Sequence, residues 1–393
     1  MNPTIPMLEL DLNGDPQPFY RQPLPERIYR AQAGDGGDTW VVSRYEDVNA
    51  VFRDARFVQR YSGTLTPEER AAMPPLPDFV QVLESDMLSS DPPTHTRLRG
   101  LVHKAFTPRL IENMRPRIEE IADGLLDRIV ARPHRQLELI EDYALPLPVT
   151  VIAELLGLPT NDHAHFRTWA EVLTANTSYT EAGMERLAET ALEFMAYFGE
   201  QFEARRAEPR ADLISGLVKA EEAGDTLTET ELHAMVMLIL VAGHETTVNL
   251  ITNGVLTLLR HPDPLARLRA QPELMTGAVE ELLRYVGPVH LGERYAREDF
   301  AFAGVTLKRG DRVTMMVAAA NRDPARFHDP DAFDIARGEN KHLSFGQGIH
   351  FCLGAPLARL ELQIALATLM RRLPTMRLDY TPQFRDSYVI RGL

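Results

Sequence analysis

Cysteine is almost missing from this chain, with one residue, Cys352, in 393. A lone cysteine excludes an internal disulfide, a multi-cysteine zinc site and an iron-sulfur cluster. It leaves packing, covalent catalysis, redox sensing or service as an axial ligand. No run reaches the ~18 apolar residues that a membrane span needs. The opening Met1-Asn2-Pro3-Thr4-Ile5-Pro6 has neither the basic nor the apolar stretch of a secretion signal, so a cytoplasmic protein is expected. No Gly-x-Gly-x-x-Gly opens a strand-helix-strand unit, and no dinucleotide or flavin domain is built in. Positive charge is in deficit as well, 42 Lys and Arg against 56 Asp and Glu. The formal charge of -14 disfavours nucleic acid and anionic membranes as partners. Linkers rich in proline, serine or glycine, low-complexity tracts and internal repeats are absent too.

What is present is ordinary globular material, 44% hydrophobic and 25% charged, in a length ample for a large core. Length alone suggests roughly two or three domains. With no linker, and with motifs spread from residue 91 to 359 that must converge in space, the reading is a single domain over 1–393. Most of the chain alternates helix-like periods with short breaks. Strand-like signals are few, at Thr39 to Val42, Phe302 to Thr306 and Arg312 to Val317, which predicts a mainly α protein with a minor β region.

The one cysteine lies in Phe345-Gly346-Gln347-Gly348-Ile349-His350-Phe351-Cys352-Leu353-Gly354. Glycines at 346, 348 and 354 allow positive φ and let the backbone approach a flat prosthetic group closely, with Phe345 as an apolar lid. Ala355-Pro356-Leu357 then reads as a helix start with proline in its first turn. A thiolate is stabilised there by amide N–H groups and the helix dipole. Haem ligated by cysteine is the chemistry used to cleave O–O bonds. The spacing Phe-x-x-Gly-x-x-x-Cys-x-Gly, met at Phe345, Gly348, Cys352 and Gly354, resembles the ligand loop of the cytochrome P-450 superfamily.

Residues 228 to 262 read as one long buried helix, with a capping box at Thr228 and Glu231 and a stop at His261-Pro262. Its middle, Ala242-Gly243-His244-Glu245-Thr246-Thr247, is an odd place for a glycine, an acid and two hydroxyls. A Thr246 hydroxyl bonded back to the Ala242 carbonyl would open a small groove for a diatomic ligand or a water. An acid beside an alcohol suits proton delivery to dioxygen. This segment resembles the family's acid-alcohol pair, with Glu245 as the acid and Thr246 as the alcohol. His244 is expected to turn away and is given no catalytic role.

On the short helix Ala278 to Val286, Glu281 with Arg284 and Glu280 with Arg284 are both helix neighbours, and spacing does not choose between them. The resemblance maps the family's Glu-x-x-Arg onto Glu281 and Arg284, and its third member onto Arg337, as a structural triad beneath the haem. Carboxylates carried into an apolar slot need cationic donors. By spacing alone, Arg97 or His103 would serve as well as His95 and Arg99 after Asp91-Pro92-Pro93. The resemblance selects His95 and Arg99, joined by Arg294 and His350. It also places Ala242, Phe345, Gly346 and Gly354 against the cofactor. Ala318 to Phe333 looks typical of bacterial members.

The resemblance implies a soluble bacterial enzyme of the class I type, with haem b (iron protoporphyrin IX) between a long distal helix and the helix of the cysteine loop. It implies a haem-thiolate monooxygenase that uses O2 and external electrons to hydroxylate or epoxidise an apolar or amphipathic molecule, such as a macrolide, terpenoid, steroid or fatty acid. Electrons come from a ferredoxin or flavodoxin with its NAD(P)H reductase, docking nearest Cys352, where Lys104, Arg109, Lys341 and Arg359 would offer a basic patch. A monomer is expected. A peroxide-using peroxygenase and a non-enzymatic haem sensor or carrier would share the cysteine loop, but the relay argues for dioxygen. Substrate recognition is placed at about residues 60 to 90, 165 to 185, 287 to 293 and 385 to 391, all expected to be irregular. Met87, Leu88, Val289, His290 and Val389 are the pocket candidates, each equally able to be packing.

Overall fold

The computed structural model describes residues 5–6, 26–33, 37–133, 136–159, 162–174, 181–222, 225–385, 387 and 389–393. Among them are ten short strands: β1 (Ile5–Pro6), β2 (Ile28–Gln32), β3 (Asp38–Val42), β4 (Phe57–Val58), β5 (Glu221–Glu222), β6 (Asp225–Thr226), β7 (Leu291–Ala296), β8 (Phe300–Phe302), β9 (Val305–Leu307) and β10 (Arg312–Met316). Most other described residues are helical. The helices that matter for function are α1 (Tyr45–Arg53), α2 (Thr94–Ala105), α3 (Glu229–Arg260), α4 (Met275–Val286) and α5 (Ala355–Arg372). The fold is mainly α with a small β region.

Two compact units divide the chain. The first comprises residues 1–73, 249–355 and 365–393, the second residues 74–248 and 356–364. The first unit is built around a six-stranded sheet in the order β1-β2-β3-β10-β7-β4. β10 runs parallel to β3, with Val313 beside Trp40, and antiparallel to β7, with Val313 opposite Arg294. Side chains alternate faces along a strand. Val313 and Met315 accordingly join one apolar cluster with Val48, Val51 and Leu343, while Met316 joins another with Tyr29, Val41 and Leu291. A strand covered on both faces reads as a continuous apolar run rather than an alternating one. β7 carries Arg294, and α1 lies over the sheet with Phe52 packed on the first cluster.

The second unit is helical apart from the β5–β6 ribbon. α3 begins with the expected capping box: the Thr228 N–H donates to Glu231 Oε2 at 2.9 Å, and the Glu231 N–H donates to Thr228 Oγ1 at 3.3 Å. It then runs 32 residues without a break. By length and composition α3 would pass for a membrane span, yet 67% of its most apolar window is buried inside the protein, as in a core helix.

Three expectations need correction. Phe302 to Thr306 is not one strand: β8 and β9 form a hairpin whose turn, Ala303 and Gly304, has φ of 50° and 92°. Two successive left-handed residues make the tight turn that matches strand twist, and the apolar alternation on either side hid it. The supposed irregular segments are partly regular. Helices Pro67–Ala71 and Asp78–Glu84 lie within 60 to 90, helix His163–Thr174 reaches into 165 to 185, and β7 takes 291 to 293. Residues 1–4, 175–180, 386 and 388 lie outside the described residues. Finally, the Thr246 back-bond leaves α3 helical throughout.

Candidate functional site

The cysteine loop closes on itself. The Cys352 N–H donates to the Phe345 carbonyl at 2.9 Å, and the Gly346 N–H to the Leu343 carbonyl at 2.8 Å. Gly346 and Gly348 adopt φ of 67° and 69°. At Gly348 a Cβ would also lie 2.6 Å from the Phe52 carbonyl oxygen, so shape and conformation both demand glycine there. Gly354 departs from expectation, with φ of -79°, which any residue adopts. A Cβ at Gly354 would stand 3.9 Å from the Cys352 sulfur, so glycine leaves that flank of the thiol uncovered. α5 starts at Ala355 with Pro356 in its first turn, and Cys352 therefore precedes the positive end of a long helix. That environment favours thiolate over thiol. His350 closes the single turn Gly348–His350, and the Phe345 ring stands edge-on to Phe351 at 6.3 Å.

Phe52 is a part of this site that no sequence signal announced. Its ring lies under the Arg294 guanidinium at 5.8 Å, and it would meet a Cβ on Gly346 at 3.6 Å. It thereby joins Arg294, on β7, to the cysteine loop. Arg294 also donates from Nη1 to the Glu293 carbonyl at 2.7 Å. Next to Phe52, Arg53 donates to Gln347 Oε1 at 2.9 Å and ties α1 to the same loop.

Beyond the loop, Glu281 and Arg284 have side chains 0% exposed, joined by two hydrogen bonds of 2.8 Å. Arg337 Nε reaches both Glu281 oxygens at 3.2 and 3.1 Å, and Asn340 donates to Oε2 at 3.1 Å. Arg284 spends its remaining donors on the carbonyls of Asn321, Pro330 and Ala332. Such saturation is what a buried ion pair needs to offset desolvation. The competing acid, Glu280, has another partner, His342 Nε2 at 3.2 Å.

In the second unit, the Thr246 hydroxyl donates to the Ala242 carbonyl at 2.9 Å, and Thr247 to that of Gly243 at 3.2 Å. Glu245 and Thr246 are half-buried and Ala242 is exposed. His244 is buried, with Nδ1 on the Leu240 carbonyl at 2.9 Å. Gly243 has a packing account, since a Cβ there would lie 3.0 Å from Ile152 Cδ1. On α2, His95 is 3% exposed, and burial first, then the Arg99 charge, lowers its pKa. It is a neutral donor at pH 7. Arg97 is taken by Glu231 and by Asp225 at 3.5 Å, and His103 faces solvent. The two alternatives that spacing left open are therefore employed elsewhere or solvated.

The substrate candidates divide between the units. Met87 is buried and Leu88 exposed in the second. In the first, Val289 bridges to Ile390, and the His290 N–H donates to the Val389 carbonyl at 2.9 Å. Val389 is exposed, whereas His290 is 4% exposed. Burial, with the charges of Arg391 and Arg322, pushes the His290 pKa down to about 3. His290 is thus a neutral, enclosed ring. Of the basic residues, Lys104, Arg109 and Lys341 are exposed, Lys341 pairing with Glu339 at 3.3 Å, and Arg359 is half-buried.

These residues fit a haem. Among the described residues no group of three or more His, Cys, Asp and Glu could hold a metal ion, and Cys352 suits a metal that would arrive inside a prosthetic group. The loop offers one thiol, a flank free of Cβ atoms and a buried arginine beside it.

Comparison with known proteins agrees. The sequence profile of the family described as Cytochrome P-450 matches residues 165–377. Cytochrome P-450 107B1 of Saccharopolyspora erythraea is 45% identical, covering 95% of this chain and 92% of its own length. Mycinamicin IV hydroxylase/epoxidase of Micromonospora griseorubida is 44% identical over 90% of this chain and 86% of its own. Among solved structures, myxobacterial cytochrome P-450 CYP267B1 in complex with myristic acid is 45% identical, with a TM-score of 0.89 over 98% of this chain and 96% of that one. Matched nearly end to end by such relatives, the chain belongs to the cytochrome P-450 family of monooxygenases.

Proposed function

We propose that the whole chain works as one haem-thiolate domain that inserts an oxygen atom into an apolar or amphipathic small molecule, with Cys352 as the residue that would hold the haem iron. The carrying observation is the loop itself: a single thiol, its N–H held by the Phe345 carbonyl, at the mouth of α5. Haem b, when bound, supplies the iron at which dioxygen is activated, and thiolate ligation favours O–O cleavage. Cys352 would hold that iron, and the α5 dipole would draw charge from its sulfur. His95 and Arg99 on α2 in the second unit, and Arg294 on β7 and His350 in the first, are the residues that would offer donors to the haem carboxylates, the imidazoles through hydrogen bonds and the guanidiniums through charge. Glu245 takes protons from solvent, and Thr246, with its own proton on the Ala242 carbonyl, has an oxygen lone pair available to position the donor that delivers them. Glu281, Arg284 and Arg337 keep the segment before the loop rigid.

Electrons come from a ferredoxin or flavodoxin with its reductase, acting in the cytoplasm on a monomer. The substrate class follows the relatives, one named for a macrolide and another solved with a fatty acid. The test is the carbon monoxide difference spectrum of the dithionite-reduced protein beside Cys352→Ser. A strongly red-shifted Soret band, lost in the variant, is the expected result. A band that survives the substitution, or no haem at all, rejects the assignment.

A further inference from the structure

Glu280 is the acid that the buried triad leaves aside, and its partner lies on the approach to the cysteine. The His342 side chain is 3% exposed, with Nε2 at 3.2 Å from Glu280 Oε2. Its Nδ1 lies 3.2 Å from the Ser344 N–H. A backbone N–H only donates, so Nδ1 must accept, and the ring proton sits on Nε2, where it donates to the Glu280 carboxylate. The two neighbours therefore fix which ring nitrogen accepts and which donates, and with them the ring's orientation.

What the ring holds continues to the cysteine. Ser344 Oγ donates to the Leu283 carbonyl at 2.6 Å and accepts from Asn321 Nδ2 at 2.9 Å, while Asn321 Oδ1 accepts the Leu343 N–H at 2.7 Å. The Leu343 carbonyl accepts the Gly346 N–H, and the Phe345 carbonyl accepts the Cys352 N–H. Two residues are thus pinned to α4 and to Asn321 immediately before the residue that fixes the cysteine amide. Ser344 has no slack, because a Cβ on Gly287 would come within 2.9 Å of its Oγ.

We infer that His342, oriented by Glu280, is a positioning residue for the cysteine loop: its Nδ1 holds the Ser344 amide and so sets the Phe345 carbonyl on which the Cys352 N–H rests. This rests on the reading of Cys352 as the iron ligand. An outer-shell partner of a ligand typically changes metal-site function by about 10- to 100-fold.

The experiment uses holoprotein variants and reads the ratio of red-shifted to blue-shifted Soret band in the reduced carbon monoxide complex. Asparagine offers an oxygen where Nδ1 stands, and glutamine offers an N–H where Nε2 stands. His342→Asn therefore keeps the ratio within about three-fold of the parent, while His342→Gln and His342→Phe lower it about ten-fold or more. If His342→Gln keeps the parent ratio, or His342→Asn loses as much as His342→Phe, the inference is overturned. A parent protein with no red-shifted band would instead reject Cys352 as ligand, a separately visible failure. Should the variants not fold, ring-nitrogen NMR of the unaltered, diamagnetic carbon monoxide complex decides: a proton on Nε2 of His342 supports the inference, and a proton on Nδ1 sinks it.

Discussion

Glu361 provides a quantitative test that needs no substrate. It lies on α5 at a position 1% exposed, its Oε2 has no hydrogen-bond partner, and its neighbours one turn away, Leu357 and Ala365, are also buried. Burial alone pushes its carboxyl up to about 8 from the ordinary 4.5. Below pH 4.5 native and unfolded chains both hold the proton, and nothing differs. Between 4.5 and about 8 the unfolded chain releases a proton that the native chain keeps. Stability therefore falls as pH rises, by about 1.4 kcal/mol per pH unit. Above about 8 both forms are ionised, and the loss levels off at roughly 5 kcal/mol, a ceiling because a buried charge draws in water.

Glu361→Gln keeps the shape and has nothing to ionise. Its stability relative to the parent should be near zero at pH 4.5, rise to about 3 kcal/mol in its favour by pH 7 and stop rising near pH 8. Urea unfolding of both proteins, followed by circular dichroism at half-unit pH steps, measures the difference directly. An infrared carbonyl band of a protonated carboxylic acid, present at pH 7 and absent from the variant, would report the same proton without unfolding. A difference that stays flat from pH 5 to 8.5 refutes the reasoning, because a solvated or paired Glu361 would behave that way.

Other perturbations follow from the site. Gly348→Ala combines a left-handed φ with a Cβ 2.6 Å from the Phe52 carbonyl, so at least about 2 kcal/mol of stability should go, read as a lower urea midpoint. Glu281→Gln leaves Arg284 and Arg337 short of their shared carboxylate and should cost about 3–5 kcal/mol, with haem content falling in step; unchanged haem content would separate the triad from the cofactor. Thr246→Val removes the hydroxyl but keeps the shape. Product formed per reducing equivalent should fall about 100-fold while reductant consumption continues and hydrogen peroxide accumulates; full coupling would exclude the hydroxyl from proton delivery.

How much of this was legible in the sequence depended on whether the deciding contact was local. The cysteine loop was legible because its requirements are met between Gly346 and Pro356: two left-handed glycines, one thiol and a helix start with proline. The capping box of α3 and the Thr246 back-bond were readable for the same reason, each being a bond across three or four residues. β7 was missed because Glu293 and Arg294 break its apolar pattern, and its place in the sheet is set by β10 and β4. Phe52 could not be found, since its relation to Arg294 and Gly346 joins positions more than 200 residues apart.

The adjacent acids of α4 make the limit plainest. Glu280 and Glu281 are both within helical reach of Arg284, and local physics scores them alike. What separates them arrives from beyond residue 333: Arg337, Asn340 and the Asp334 N–H converge on Glu281, and His342 meets Glu280. One acid is thereby sealed at 0% exposure under three cationic or amide donors, and the other stays a quarter exposed beside the His342 imidazole. A helix presents both acids at its surface, and only the segment laid across it decides which becomes core and which steers the loop to Cys352.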